Sequence, residues 1–246
     1  GTATLDPIVN TGPGISSTPS DFFVIKYNSS GSKQWIKQFG TSAQELVRGS
    51  SLFVLNDGTF VVAGSTKGSF TGFSNGGIGS GCGSENCYDM FVIKFSSDGS
   101  TLWTQQIGTD VEDLGESVFL DSSSNVYVAV SSKGNFDGKT NAGGYDIFLL
   151  KYNSSGVKQW SKQFGTSSND YASTVLVDSS GNIFISGSSY GDIEGSGNSS
   201  TRQAFVMKLN NSGISQWTKQ VIVVDGTGCS GGSHDYSSTI TSGGDI

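Results

Sequence analysis

Four versions of one ten-residue phrase recur along this chain of 246 residues: "KYNSSGSKQW" from Lys26, "KFSSDGSTLW" from Lys94, "KYNSSGVKQW" from Lys151 and "KLNNSGISQW" from Lys208. Each places Trp nine residues after Lys, at Trp35, Trp103, Trp160 and Trp217, and successive Lys residues lie 68, 57 and 57 apart. So strict a phase requires a tandem array, in which each repeat is one supersecondary unit that buries its apolar face against its neighbours.

One period resolves into four β signals. In the third copy "DIFLLKY" is apolar, "NSSG" is a turn, "VKQWSKQF" and "YASTVLV" alternate, "DSSGN" turns and "IFISG" closes. We label these strands a, b, c and d. No segment sustains a 3.6-residue apolar period, so almost no helix is expected. Four strands per period of this length predict an all-β fold, a β-propeller of four-stranded antiparallel blades spanning 1–246, with strand a beginning near residues 21, 89, 146 and 203. Residues 1–20 either complete the last blade and close a four-bladed ring, or the four repeats are part of a larger propeller. The start at Gly1, without Met or signal-like residues, is what a processed or excised product would show.

Antiparallel order puts the short a-to-b and c-to-d turns at one end of each blade. The d-to-a and b-to-c connections lie at the other, where the sequence is irregular (65–88, 131–145, 188–202, 221–234). Variable loops on a rigid scaffold are where binding resides, so that face is the functional candidate.

Composition narrows the partners. A formal net charge of −7 argues against nucleic acid, because neutralising phosphates needs clustered Lys and Arg. No run of eighteen apolar residues is present, so no membrane insertion by a helix is expected. Of the three cysteines, Cys82 and Cys87 enclose "GSEN", a loop short enough for a disulfide. Cys229 is then a thiol that is free, paired to another chain, or exchanged with one of the first two. The competing reading is three free thiols in a cytosolic protein.

Residues that recur read as scaffold. Trp35, Trp103, Trp160 and Trp217 can fill the space between sheets and donate their indole N–H to backbone. Asp21, Asp89 and Asp146 open strand a, with Gln203 in the fourth copy, and a carboxylate there can accept backbone N–H bonds from the preceding loop. Glu45, Asp113, Asp170 and Asp235 form a second acidic position, for which the first copy needs a two-residue insertion to align.

The stretch "DGKTNAGGYDIFLLKYNSSGVKQW" followed by "FGTSSNDYASTVLVDSSGNIFISGSS" resembles the bacterial β-propeller repeat called SBBP, and four diverged copies cover nearly the whole chain. The resemblance implies a propeller on an exported or cell-surface bacterial protein, commonly without an assigned activity, and transfers no catalytic residue. Turn and Trp also resemble the quinoprotein repeat, for blade packing only. "SSDGSTLW" is no sialidase Asp-box, because Asp98 and Gly99 are adjacent where that box separates them.

Candidate chemistry is sparse. His234 is the single histidine, which excludes a multi-His zinc site, and its neighbour Asp235 is a poor orienting partner for a Ser/His/Asp arrangement. In "FDGKTNAGGYD", Asp137, Asn141 and Asp146 offer oxygens to calcium, although Lys139 stands where a further ligand is wanted; turn capping is the competing reading, and no other cofactor is expected. Sequons begin at Asn28, Asn153, Asn198 and Asn210, three of them in a-to-b turns where hairpin geometry also asks for Asn. An active site is needed once and breaks repeat symmetry, so the non-recurring Arg48, Arg202, Glu85, Glu112, Glu116, Glu194 and Tyr190 stand out.

These readings favour a non-catalytic extracellular or cell-surface propeller, a structural, adhesive or filament-forming module that self-associates or binds a surface polymer through the irregular face. The alternative is a carbohydrate-binding or carbohydrate-cleaving propeller. Unshared Tyr, Glu and Arg residues gathered in one concavity favour the sugar site; scattered, they favour scaffold.

Overall fold

The computed structural model describes residues 21–77, 82, 87–197 and 202–221. Every sheet is antiparallel. Sheet I pairs β1 (Phe22–Tyr27) with β2 (Lys33–Phe39). Sheet II holds β3 (Glu45–Leu46), β4 (Leu52–Val54), β5 (Phe60–Thr66), β6 (Asp89–Phe95) and β7 (Thr101–Ile107). Sheet III runs β8 (Asp113–Leu120), β9 (Val126–Ser132), β10 (Asp146–Tyr152), β11 (Lys158–Phe164). Sheet IV runs β12 (Asp170–Val177), β13 (Ile183–Ser189), β14 (Gln203–Leu209), β15 (Ser215–Val221). A single 3-10 turn at Phe136–Gly138 is the helical content of the described residues. The fold is an all-β array of propeller blades.

The blades are cut differently from the repeats. Strands c and d of one repeat pair with a and b of the next, so sheet III reads c-d-a-b in β8 to β11. The connection that leaves a sheet is therefore b-to-c, and it is uniform: 40–44, 108–112 and 165–169 each hold five residues. Among the described residues irregularity belongs to the d-to-a loops alone; the b-to-c connection expected to be irregular, 221–234, lies beyond Val221 outside the described residues. The N-terminal residues 1–20 and the fourth copies of strands c and d lie outside the described residues.

The two-residue insertion is real and local. Leu46 pairs with Ser65 and Leu52 with Val62, leaving 47–51 between β3 and β4, where β8 spans the same register with Gly115, Glu116 and Ser117. Strand c is the edge at which successive sheets converge. Ser50 bridges Ser117, the Ser65 hydroxyl accepts from Gly115 N (3.0 Å), and the Ser117 hydroxyl accepts from Val175 N (3.1 Å).

Side chains alternate between the two faces of each strand, and both faces of the inner strands are covered. Phe60, Phe91, Ile93 and Phe95 point with Phe22 into the core between sheets I and II. Val61, Ala63, Met90 and Val92 point the other way, to Phe148, Leu150 and Tyr152 of sheet III. Tyr127, Ile147 and Leu149 then meet Ile183, Phe205 and Met207 of sheet IV.

A lock repeats at the turn end. Three strand-b Trp rings lie on the a-to-b turn glycine of the next sheet: Trp35 on Gly99, Trp103 on Gly156, Trp160 on Gly213, where an added Cβ would meet the ring at 3.3, 2.8 and 3.2 Å. These glycines have φ of +77°, +81° and +73°, so turn geometry and the Trp ring demand the same residue. Trp103 Nε1 donates to Ser154 O (3.0 Å), and Lys26 and Lys94 Nζ donate to Ser97 O (2.8 Å) and Ser154 O (3.2 Å) across the same joints.

Candidate functional site

At the loop end each blade is closed by its recurring acids. Asp113 accepts from the Ser132 hydroxyl and from Thr109 N and Oγ1; Asp170 repeats this with Ser189 and Thr166, and Glu45 takes Thr41 and Thr66. The strand-a acids do the same for the d-to-a loop: Asp89 accepts from Gly76 N and Gln106, Asp146 from Ala142 N and Gln163. Their second oxygens rest on the glycine that follows strand b, since a Cβ on Gly108 or Gly165 would meet Asp89 or Asp146 at 2.1 or 2.3 Å. In the fourth copy both partners change together: Gln203 replaces Asp, and Ile222, outside the described residues, replaces Gly. Burial pushes Asp113 up to about 7 and Asp89 to about 6, although their hydrogen bonds favour the ionised form. These carboxylates serve as loop caps.

Above this layer a second set of side chains repeats. The residue after strand d and the residue before strand a form a cation–ring pair in each blade: Lys67 over Tyr88 (5.1 Å), Lys133 over Tyr145 (4.6 Å) and Arg202 over Tyr190 (6.0 Å). In the last pair ring and cation have exchanged places, so the contact is kept and its polarity reversed. Between the blades, Tyr145 packs on Tyr171 at 4.8 Å.

Arg48, carried on the inserted residues, donates to both oxygens of Glu116 on the bulge of β8 (3.3 and 3.0 Å). The guanidinium remains 46% exposed while Glu116 is 7% exposed, so the pair opens to solvent on its cationic side. Burial first, and then Glu112, Tyr171 and Glu116, push the Tyr145 hydroxyl up, with Arg48 opposing. Tyr171 is pushed up by burial and by Tyr190, opposed by Arg202. Three contacts, Arg48 with Glu116, Tyr145 with Tyr171 and Arg202 with Tyr190, thus lie at the loop end where sheets II, III and IV converge, with Glu112 near enough to bear on Tyr145.

The structure thus gathers Arg48, Glu112, Glu116, Tyr190 and Arg202 from the residues that sequence set apart. Glu194 lies elsewhere, bonded to Lys219 (2.7 Å) and Gln220 N (2.8 Å) on the outer strand. Glu85, Cys229, His234, Asp235 and Asn198 lie outside the described residues. Tyr145, Tyr171 and Lys133 were missed, and an alignment of the repeats with cation and ring treated as exchangeable would have found the first and last.

Asp137, Asn141 and Asp146, the calcium candidates, each have protein partners. Asp137 pairs with Lys158, Asn141 spans Ser132 O and Gly144 O, and Asp146 holds the loop as above. Among the described residues no three His, Cys, Asp or Glu side chains are placed to hold a metal ion. Cys82 and Cys87 form a disulfide, Cα to Cα 5.3 Å, in the longest d-to-a loop. Asn28, Asn153 and Asn210 cap their own turns through Oδ1.

Residues 159–194 match the family model described as SBBP, beta-propeller repeat, covering β11, β12 and β13. The Regulatory protein FlaEY of Caulobacter vibrioides is 28% identical over 143 residues, 57% of this chain and 15% of that protein. The chain thus spans well under two thirds of that relative's length.

Proposed function

We propose that this chain is a non-catalytic surface module that binds a polysaccharide through the loop end of its blades. The observation that carries the reading is the convergence of Tyr145, Tyr171 and Tyr190 with Arg48, Glu116 and Arg202 on one patch. Pyranose rings present apolar C–H faces that stack on tyrosine, and equatorial hydroxyls that bond to guanidinium and carboxylate edges. Such a surface offers several adjacent subsites because the cation–ring pair recurs from blade to blade, which suits a polymer better than a single sugar.

Catalysis is not part of the proposal. The carboxylates with raised pKa, Glu45, Asp89, Asp113 and Asp170, are buried as loop caps, and Glu116 is held by Arg48. Glycoside hydrolysis needs an acid and a second carboxylate flanking an accessible bond. The name of the relative speaks for a protein of which this chain matches a small part, and supports the repeat architecture alone.

The test is retention on bacterial and plant polysaccharides by affinity electrophoresis and a glycan array, with Tyr145→Ala, Tyr171→Ala and Arg48→Ala. We expect a retained polymer, and a loss of about tenfold or more in affinity for each variant. No retained glycan, or variants that bind like the wild type, would end this reading.

A further inference from the structure

Among the described residues, the lock that joins successive sheets has one unused half on sheet I and one on sheet IV. Trp35, Trp103 and Trp160 are partly buried on the next turn glycine, whereas Trp217 is 40% exposed. Gly99, Gly156 and Gly213 are buried beneath a ring, whereas Gly31, with φ +78°, is exposed and has nothing within 4 Å of an added Cβ.

The apolar faces follow the same rule. Phe91, Phe148 and Phe205 are at most 1% exposed because each packs on the sheet before it, and their counterpart Phe23 on β1 is 55% exposed. Phe95, Tyr152 and Leu209 are at most 3% exposed, and their counterpart Tyr27 is 56% exposed. Sheet I therefore presents a socket (Phe23, Tyr27, Gly31) and sheet IV presents the matching plug (Val206, Trp217, Lys208). Phe23, Tyr27, Gly31 and Trp217 are exposed, so among the described residues socket and plug do not cover each other.

We propose that a second copy of this chain docks head to tail, its first hairpin continuing the array on the open face of sheet IV. Trp217 lies on Gly31 of the second copy and its indole N–H donates to Ser29 O, as Trp103 does to Ser154 O. Lys208 reaches the same carbonyl, as Lys94 reaches Ser154 O. The partner is specified by an interface the chain already makes three times, with the same residue types in the same order. Plug and socket are different surfaces, so the contact is heterologous and each docked copy leaves a new plug and a new socket, giving filaments or rings. This association uses the ends of the array and is independent of the loop-end patch.

Sedimentation velocity over a concentration series, on the whole chain, tests it with two single variants and their mixture. Trp217→Ala removes the plug. Gly31→Asn fills the socket with a residue that tolerates positive φ. Tyr27→Lys provides a second socket variant that leaves the turn untouched. The wild type should grow in mass with concentration, each variant should weaken association by about tenfold or more, and an equimolar mixture of Trp217→Ala and Gly31→Asn should form a single capped dimer. A wild type that stays monomeric up to about 1 mM, including one that closes on itself, would overturn the proposal. So would a Trp217→Ala chain that assembles like the wild type, or a mixture without dimer. Tyr171→Ala should assemble normally, and Trp217→Ala should keep its glycan retention, so failure here and failure of the polysaccharide reading are separable.

Discussion

The two ends of each blade use the same residue type for opposite purposes. At the turn end, Asp121 and Asp178 accept two backbone N–H bonds and an Asn amide within their own hairpin, close to solvent. Asp98 there is held down to about 2, first by the Ser96 hydroxyl and then by Ser100. At the loop end, Asp113 receives a comparable set of donors, yet burial outweighs them and raises it to about 7. Hydrogen bonds alone therefore do not fix a carboxylate's charge; the surrounding dielectric decides which influence wins. The turn-end carboxylates find all these donors within their own hairpin, whereas the loop-end carboxylates join one strand to another, as Asp113 does with Ser132 and Asp89 with Gln106.

If that contrast holds, the loop end should be the more brittle. Gly108→Val, which drives a side chain into the Asp89 carboxylate, should lower unfolding free energy by about 3–4 kcal/mol in urea titration. A value under about 1 kcal/mol would mean that the glycine–aspartate contact is loose.

The pH profile separates the ends next. Asp113 and Asp89 have folded values raised above 3.8, so the native state holds their protons longer than the unfolded chain does. Their contribution is fully present below about pH 4 and is lost as pH rises through about 6 and about 7. Asp98 and Asp178 are lowered, so theirs is present above about pH 4 and is lost as pH falls towards 2. Thermal melts from pH 3 to pH 8 should peak near pH 4–5, and Asp113→Asn should flatten the upper limb only; an unchanged upper limb in that variant would contradict the assignment.

Smaller effects follow. Replacing Cys82 and Cys87 by Ala opens a five-residue separation and should cost about 2 kcal/mol, read as a lower urea midpoint with the far-ultraviolet spectrum preserved. Asp178→Ala, at the turn end, should cost about 1 kcal/mol, because only one hairpin loses its cap. Should Asp178→Ala prove more damaging than Gly108→Val, the order of the two ends would be reversed.

Much of this is legible in the sequence. The phase of Lys and Trp, the four-strand period, the two faces, the insertion before β4 and the capping role of Asp89 and Asp146 all follow from local chemistry repeated four times. What escaped were facts about which distant segments touch. The repeats do not show that c and d belong with the next a and b, because antiparallel pairing energy is the same for either cut. Tyr145 and Tyr171 look like ordinary loop and strand residues until the convergence of two blades brings their rings within 4.8 Å.

Sequence by itself determined the scaffold, since turns, alternation and caps are local and a tandem array multiplies the same local preference. Tertiary structure alone decided the blade grouping, the loop-end patch and the unequal exposure of Trp217 and its three counterparts. Those properties depend on the neighbour each repeat has been given, and identical residues with different neighbours bury different surface.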